Sequence, residues 1–147
     1  MTQNHRPRIE SIPRNCSGCR LCELVCSSQH TPGVTNPKKS RIRLEVEHRE
    51  NRNVPRVCTQ CPEHPCLDSC PAEAVHLHPV LKVPVVSSAD CTGCRACIDA
   101  CPYGFMFFDE DEGVALKCDL CAGDPECVKN CPVGALSFRR AEEEVKG

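Results

Sequence analysis

The residues most able to do chemistry are sixteen cysteines in a chain of 147 residues. They form four groups of four, with short gaps inside each group and no cysteine left over. The groups read CSGCRLCELVC from Cys16, CTQCPEHPCLDSCP from Cys58, CTGCRACIDACP from Cys91 and CDLCAGDPECVKNCP from Cys118. Thiolates at such spacing are typical ligands of metal ions and iron–sulfur clusters, so the pattern predicts a metal-bearing protein.

The gaps decide how many thiols can serve one metal centre. The first and third groups have gaps of two, two and three residues, and the second and fourth widen the middle gap to four and five. Two-residue gaps let the backbone curl around one face of a 4Fe-4S cube, so three thiolates reach the same cluster. The fourth cysteine, about one helical turn further on, points away and ligates a partner cluster in two-cluster ferredoxins. The third group, with Pro102 after Cys101, matches the bacterial ferredoxin run in full.

Three other uses of clustered cysteines are alternatives. A secreted disulfide framework is disfavoured because the N-terminus lacks an apolar run of signal-peptide length. A thioredoxin-type pair needs only one Cys-x-x-Cys on a βαβ frame. Zinc sites usually draw two close pairs from loops about fifteen or more residues apart, whereas each group here fits within fourteen residues. A zinc-binding interaction module stays the alternative from a different class, and it would be colourless where an iron–sulfur protein is brown.

Composition limits both the core and the range of functions. The chain has no Trp, one Tyr and four Phe, so we expect metal binding to hold the fold together and the metal-free chain to be disordered. The formal charge of −2 gives no indication of nucleic acid. No segment approaches the ~20 apolar residues of a membrane span, which favours a cytoplasmic protein. The sequence has no G-x-G-x-x-G or Walker motif, so we expect a non-catalytic protein. The histidines have no metal-type spacing, so we expect them to lie at the surface.

Short repeated elements must position the thiols. The segments CPAEAVHL from Cys70, CPYGFMFF from Cys101 and CPVGALSF from Cys131 share a Cys-Pro, a two-residue turn and an apolar run that predicts a strand. Arg41 to His48 alternates apolar and charged residues and predicts a further strand, and Val80 to Val86 predicts an edge strand because it contains Pro84. The three residues before each fourth cysteine amount to one helical turn. Pro follows the fourth cysteine and ends that turn in three groups, whereas Ser27 stands there in the first group. The fold class is therefore α+β and loop-rich.

The motifs resemble a known family. The four groups, the second as C-x2-C-x4-C-x3-C-P, are similar to the four-cluster ferredoxin-like iron–sulfur subunits of the dimethyl sulfoxide reductase family and its carbon monoxide dehydrogenase and hydrogenase relatives. The likeness covers Ile9 to Phe138. The segment His30 to Arg43 further resembles the small polyferredoxin subunits that accompany tungsten-dependent aldehyde oxidoreductase type enzymes. Both resemblances imply a tandem bacterial-ferredoxin-like fold of two pseudo-twofold units, each with two 4Fe-4S clusters, short strands and helices of one to a few turns.

The resemblance also implies which thiols share a cluster, because in such proteins the outer groups exchange their fourth ligands, as do the inner groups. The implied ligand sets are Cys16, Cys19, Cys22 and Cys131 for cluster a; Cys118, Cys121, Cys127 and Cys26 for cluster b; Cys58, Cys61, Cys66 and Cys101 for cluster c; and Cys91, Cys94, Cys97 and Cys70 for cluster d. The chain then divides into an outer unit, residues 1–30 and 114–147, an inner unit, residues 54–113, and a basic insertion with a strand, residues 31–53.

The function implied is electron transfer between partners. We expect a subunit that relays electrons between a catalytic tungsten, molybdenum or nickel oxidoreductase and a second redox subunit or soluble carrier, with self-association into a longer wire as a further option. A free-standing soluble polyferredoxin is the alternative. Four clusters favour a subunit, because each added cluster lengthens the path along which electrons can move, whereas a diffusing carrier needs only one or two clusters. Arg20 and Arg95, inside ligand loops, are predicted to raise the potential of their nearest cluster.

Overall fold

Short helices and two-stranded sheets make up the fold. The computed structural model describes residues 6–33 and 35–139. Its α-helices are α1 Leu21–His30, α2 Pro65–Ser69, α3 Ala96–Ala100 and α4 Glu126–Asn130. Its strands are β1 Arg8–Ser11, β2 Ile42–Glu47, β3 Arg52–Val57, β4 Val75–Leu77, β5 Pro84–Val86, β6 Phe107–Asp109, β7 Val114–Leu116 and β8 Leu136–Arg139. This small, loop-rich mixture of helices and strands confirms the expected α+β class.

The strands pair as four antiparallel ribbons within the described residues. Three ribbons are hairpins, β2 with β3, β4 with β5 and β6 with β7, while β1 pairs with the distant β8. Strands β2, β4, β6 and β8 confirm the strand predictions made for their segments. The prediction for Val80 to Val86 is partly wrong, because Val80 lies in a turn and the strand begins only at Pro84. Pro84 is tolerated there because a two-stranded ribbon consists of edge strands alone.

Proline after the fourth cysteine decides helix length. Helices α2, α3 and α4 have five residues each, and each is followed by Cys-Pro. Helix α1 has ten residues, longer than the single turn predicted, because Ser27 replaces the proline and the helix continues until the Thr31 N–H bonds to the Ser27 carbonyl at 2.8 Å. None of the helices in the described part of the chain has the length and apolar character of a membrane span.

The helices pack in two pairs, and cysteines fill much of the interior between them. Helix α1 packs against α4, and α2 packs against α3. One buried cluster combines Ile9, Ile42 and Val57 with four thiols, those of Cys26, Cys58, Cys118 and Cys127. A smaller one combines Met106 and Val75 with the thiols of Cys66 and Cys97. With so few large apolar side chains, the thiols and whatever they bind form a substantial part of the core.

The basic insertion contacts two separate parts of the fold. On one side, the buried Glu23 of α1 accepts the Leu44 N–H at 2.6 Å through Oε1. On the other side, the Lys39 ammonium donates to both carboxylate oxygens of Asp109 at 2.8 and 3.0 Å, and both side chains are buried. The segment therefore ties α1 to the β6–β7 hairpin.

Two hairpins cross the expected boundaries between units. In the β2–β3 hairpin Glu45 lies opposite Val54, so the hairpin spans the boundary expected after residue 53. In the β6–β7 hairpin Asp109 lies opposite Val114, so it spans the boundary expected after residue 113. The division of the chain into two cluster-binding units and an insertion stays a prediction. The ends of the predicted outer unit, residues 1–5 and 140–147, lie outside the described residues.

Candidate metal centres

Cysteines from distant groups line three shared cavities. Each cavity combines three cysteines of one group with the fourth cysteine of another. The cysteines are Cys16, Cys19, Cys22 and Cys131 at site a, Cys118, Cys121, Cys127 and Cys26 at site b, and Cys58, Cys61, Cys66 and Cys101 at site c. All sixteen cysteines are free thiols.

A fourth set, site d, lies in the second helix pair. Cys97 is buried, and Cys70 and Cys91 pack against the same apolar cluster. The pKa of the Cys97 thiol is raised by burial and then by the nearby charges of the Cys91 and Cys70 thiolates. Cys94, the remaining predicted member, is exposed in the loop between Cys91 and α3.

The backbone of each cysteine loop turns the same way. The second residue after each first cysteine has positive φ, at Gly18 (80°), Gln60 (54°), Gly93 (77°) and Leu120 (58°). Glycine is required at position 93, where a Cβ would lie 2.6 Å from the Gly113 carbonyl oxygen. Gln60 and Leu120 hold the same left-handed conformation with a side chain, which costs on the order of 1 kcal/mol. The four loops therefore share the same backbone turn, although the sequence shows glycine at this position in only two of them.

Backbone amides point at several sulfur atoms. The N–H groups of Ala74 and Ala135 donate to the Sγ atoms of Cys70 and Cys131, each at 3.3 Å. These bonds close the turns after Cys70-Pro71 and Cys131-Pro132, two of the three copies of the repeated unit. The Arg41 N–H donates to Cys26 Sγ at 3.2 Å. Such donors stabilise sulfur in its anionic form, the form that ligates metal.

The grouped thiols need a cation to become thiolates together. Burial, together with nearby negative charges, raises the pKa of Cys22 to about 12 and of Cys66 and Cys121 to about 11. Thiols with such pKa values stay protonated at neutral pH unless a metal displaces the protons. The donor chemistry of sites a, b and c, with four thiols at each, thus fits an iron–sulfur cluster.

An unpaired polar atom at site c is also consistent with a bound iron–sulfur cluster. His64 lines this cavity, and its Nε2 atom is buried with no hydrogen-bond partner in the described part of the chain. Burial, and then the charges of Arg6 and Lys117, lower the pKa of this imidazole, so the ring is neutral at pH 7. A sulfur atom in the cavity would accept a hydrogen bond from Nε2.

Site b carries an ion pair that the spacing of the histidines did not reveal. His30 Nε2 lies 2.9 Å from Asp119 Oδ1, and Nδ1 lies 2.8 Å from the Cys26 carbonyl oxygen. Burial disfavours the imidazolium, but hydrogen bonds with Asp119 and Cys26 outweigh it and raise the pKa of His30 to about 10. Ligand atoms of His30, Asp119 and Cys121 lie within 4.8 Å of one another; because Cys121 lines site b, this trio belongs to that site. The i, i+4 spacing of Cys26 and His30 on one helix was the available signal.

The prediction that histidines lie at the surface is correct in part. His48 and His76 are exposed. His30, His64 and His78 are half-buried, the first two because they pack against cysteine sites. His5 lies outside the described residues.

The two arginines predicted to tune the clusters each pair with a carboxylate. Arg20 Nη1 lies 3.2 Å from Glu23 Oε1. Arg95 Nη2 lies 3.1 Å from Glu110 Oε2, and its guanidinium stacks 3.9 Å from the centre of the Phe108 ring. The pairing cancels part of each positive charge, so their influence on reduction potential stays a prediction.

The fold and the grouped thiols define a class of protein. The chain belongs to the 4Fe-4S dicluster domain family, whose model matches residues 50–141. It is an iron–sulfur electron-transfer protein rather than a catalytic subunit, as the sequence predicts. The narrower likeness to the dimethyl sulfoxide reductase family stays a prediction.

Individual relatives match over most of the chain. The polyferredoxin-like subunit of aliphatic sulfonate oxidoreductase of Pyrococcus furiosus is 42% identical over 119 residues, which cover 81% of this chain and 68% of that protein. A tetrathionate reductase subunit of Salmonella typhimurium is 32% identical over 142 residues, 89% of this chain and 56% of that protein. Among solved structures, a chain of the active site complex BamBC of benzoyl coenzyme A reductase, in complex with benzoyl-CoA, matches with a TM-score of 0.55 at 30% identity, covering 95% of this chain and 84% of that one.

Proposed function

We propose that the sixteen cysteines hold four 4Fe-4S clusters, one at each of sites a to d, and that the protein is an electron-transfer subunit of an oxidoreductase complex. The observation that carries the proposal is the sharing of cavities by distant cysteines. At sites a, b and c, three closely spaced thiols face a fourth that comes from another group. This is the arrangement in which each cysteine group of a two-cluster ferredoxin gives its fourth thiol to the partner cluster.

The contacts between sites support a linear order a, b, c, d. Cys22 of site a acts electrostatically on Cys127 of site b. Cys58 of site c acts on Cys118 of site b. Cys66 of site c and Cys97 of site d are buried in one apolar cluster. Sites a and b then form the outer two-cluster unit and sites c and d the inner one, with the junction between units at b and c.

Exposure fits this order. Cys19 of site a and Cys94 of site d are exposed, whereas the described cysteines of sites b and c are buried or half-buried. When bound, 4Fe-4S clusters supply one-electron transfer between neighbouring sites. The chain's own residues hold the sulfur ligands, direct amides at them and exclude water from the central pair. The two terminal sites are then the points of contact with other redox proteins.

The partner is proposed from the relatives. The relatives include subunits named for an aliphatic sulfonate oxidoreductase and a tetrathionate reductase. By analogy, one end of this chain contacts a catalytic subunit, of the tungsten, molybdenum or nickel type, and the other contacts a second redox subunit, a soluble carrier or a second copy of this chain. A cytosolic location fits, because a reducing compartment keeps ligand thiols from forming disulfides.

Purification from the native host under anoxic conditions tests the proposal. We expect a brown complex in which this chain co-elutes with a larger metal-containing oxidoreductase subunit. Isolation as a brown monomer at physiological salt would favour the free-standing polyferredoxin. A colourless preparation with zinc in place of iron would contradict the proposal altogether.

A further inference from the structure

A buried lysine lies at the junction between sites b and c. Lys117 is 4% exposed and lines the cavity of site c. Its Nζ atom donates to Gln60 Oε1 at 2.7 Å and to the Cys118 carbonyl oxygen at 3.1 Å. Cys118 belongs to site b, so the same ammonium group touches the walls of both sites. Its positive charge acts on the Cys66 and Cys118 thiols, opposing the rise in pKa that burial causes.

The acceptors of this ammonium are both neutral. Across residues 6–33 and 35–139, no carboxylate lies at ion-pair distance from Lys117 Nζ. A buried charge without a counter-charge is strongly unfavourable, so such residues are rare unless an ion or ligand compensates them. A 4Fe-4S cluster with four thiolates carries net negative charge and would supply that compensation at site c.

Positive groups near the other sites differ from Lys117: three pair with carboxylates, and Arg41, which lines site b and donates to the Lys39 carbonyl oxygen, is only half-buried. The pairs are Arg20 with Glu23 near site a, His30 with Asp119 near site b, and Arg95 with Glu110 near site d.

Two further groups add positive charge or hydrogen-bond donors around site c. Arg6 donates from Nε to the Gln60 carbonyl oxygen at 2.7 Å and acts electrostatically on Cys61. The Nη2 atom of Arg6 and the Nε2 atom of His64 are buried without a hydrogen-bond partner among the described residues. Among the described residues, the walls of site c therefore hold Lys117 without a carboxylate partner and His64 Nε2 without a hydrogen-bond partner, and Arg6 lies beside them.

We propose that Lys117 makes site c the highest-potential centre of the four, so that the first electron taken up by the protein resides beside the unit junction. The proposal rests on the proposed function, since it requires a cluster at site c. Reduction adds one negative charge to a cluster, and a fixed positive charge in a water-poor interior favours the reduced state.

An anoxic redox titration of the full chain, followed by electron paramagnetic resonance, tests the role of Lys117. The variant Lys117→Met keeps the length of the side chain and removes its charge. We expect the highest midpoint to fall by at least about tenfold in the reduction equilibrium, which is about 59 mV for a one-electron couple. The matched control is Lys82→Met, which removes the charge of an exposed lysine in the β4–β5 turn and is expected to leave all midpoints in place, because solvent screens it.

A second variant covers the case in which Lys117→Met does not assemble. Gln60→Glu is close in shape and places a carboxylate against Nζ, so it cancels the lysine charge in place and should lower the same midpoint. An unchanged highest midpoint in a variant with full iron content would overturn the proposal. Loss of iron in both variants, with the remaining centres at wild-type midpoints, would assign Lys117 a purely structural role and also overturn it. Absence of iron from the wild-type protein would instead defeat the proposed function itself.

Discussion

At the scale of single residues, the fourth cysteine of each group connects parts of the chain that are far apart in sequence. Cys26 lies at the end of the first group, yet it lines the cavity of Cys118, Cys121 and Cys127. The Arg41 N–H donates to its sulfur, and His30 lies 3.8 Å from it. These donors lower the pKa of Cys26 against the effect of burial, which prepares its thiolate for metal binding.

Double substitutions test whether ligands are shared crosswise. Cys26→Ala and Cys127→Ala should each remove the cluster at site b, and the double variant should lose no more, about four irons of sixteen. Cys26→Ala combined with Cys22→Ala should lose about eight, because those two thiols serve different sites. Iron analysis of anoxically purified protein measures the difference. The reverse result, about eight irons lost from the Cys26 and Cys127 double variant and about four from the Cys26 and Cys22 one, would mean that the first group serves a single cluster.

The sequence predicts the grouping of thiols but misses the residues around them. Gaps between cysteines are local, so which thiols act together within one group can be read directly. Gln60 and Lys117 are 57 positions apart, and nothing in the local sequence of either indicates that they meet. Such contacts depend on how the loops fold over one another, which spacing alone does not determine.

At the scale of elements, helix α1 shows how one residue changes the local structure. Ser27 is fully buried and its Oγ donates to the Leu24 carbonyl at 2.9 Å. Because the residue is not proline, the helix continues far enough to bring His30 to Asp119. The sequence indicates that the first group differs, but the length of the extension depends on packing of α1 against α4.

Ser27→Pro restores the residue found after the other fourth cysteines and should damage this protein. Proline removes a helical N–H and clashes with the preceding turn, at a cost of about 3 kcal/mol or more. The control Ser27→Ala loses only one side-chain hydrogen bond, worth about 1 kcal/mol. Thermal unfolding of the two holoproteins, followed by loss of cluster absorbance, compares them. Equal midpoints would show that the continuation of α1 contributes nothing to stability.

The basic insertion stabilises the fold through the ion pair of Lys39 and Asp109. Lys39→Met leaves the Asp109 carboxylate buried without its counter-charge, although the Asp111 and Glu112 N–H groups still donate to it at 3.0 and 3.2 Å. We expect the thermal midpoint to fall by several degrees, whereas Lys38→Met, at the exposed neighbouring position, should have almost no effect. If both variants melt like the wild type, the insertion is not fastened through this pair.

Strand prediction succeeds where the repeat supplies a pattern and fails elsewhere. β4, β6 and β8 follow the repeated Cys-Pro turn, and β2 alternates apolar and charged residues, so all four are predictable. β1 has the sequence RIES and pairs with β8 at the other end of the described chain. A four-residue segment of this composition forms a strand only because β8 pairs with it, which is a tertiary effect.

At the scale of the whole molecule, sulfur ligands and what they bind take the place of an ordinary core. Four cysteines lie among the buried residues of the main apolar cluster, and the chain contains only four Phe and no Trp. Metal binding and folding should therefore be one event. Removal of iron with a chelator under reducing conditions is expected to abolish the cooperative unfolding transition, measured by circular dichroism. A metal-free chain that still unfolds cooperatively would contradict this coupling.

Iron and acid-labile sulfide counted per chain, in protein isolated and handled without oxygen, test the central claim most directly. Four shared-ligand clusters require about sixteen irons and about sixteen sulfides in each chain, with four centres that reduce separately. About eight of each, or zinc bound to the thiols, would contradict the assignment of one 4Fe-4S cluster to each of sites a to d.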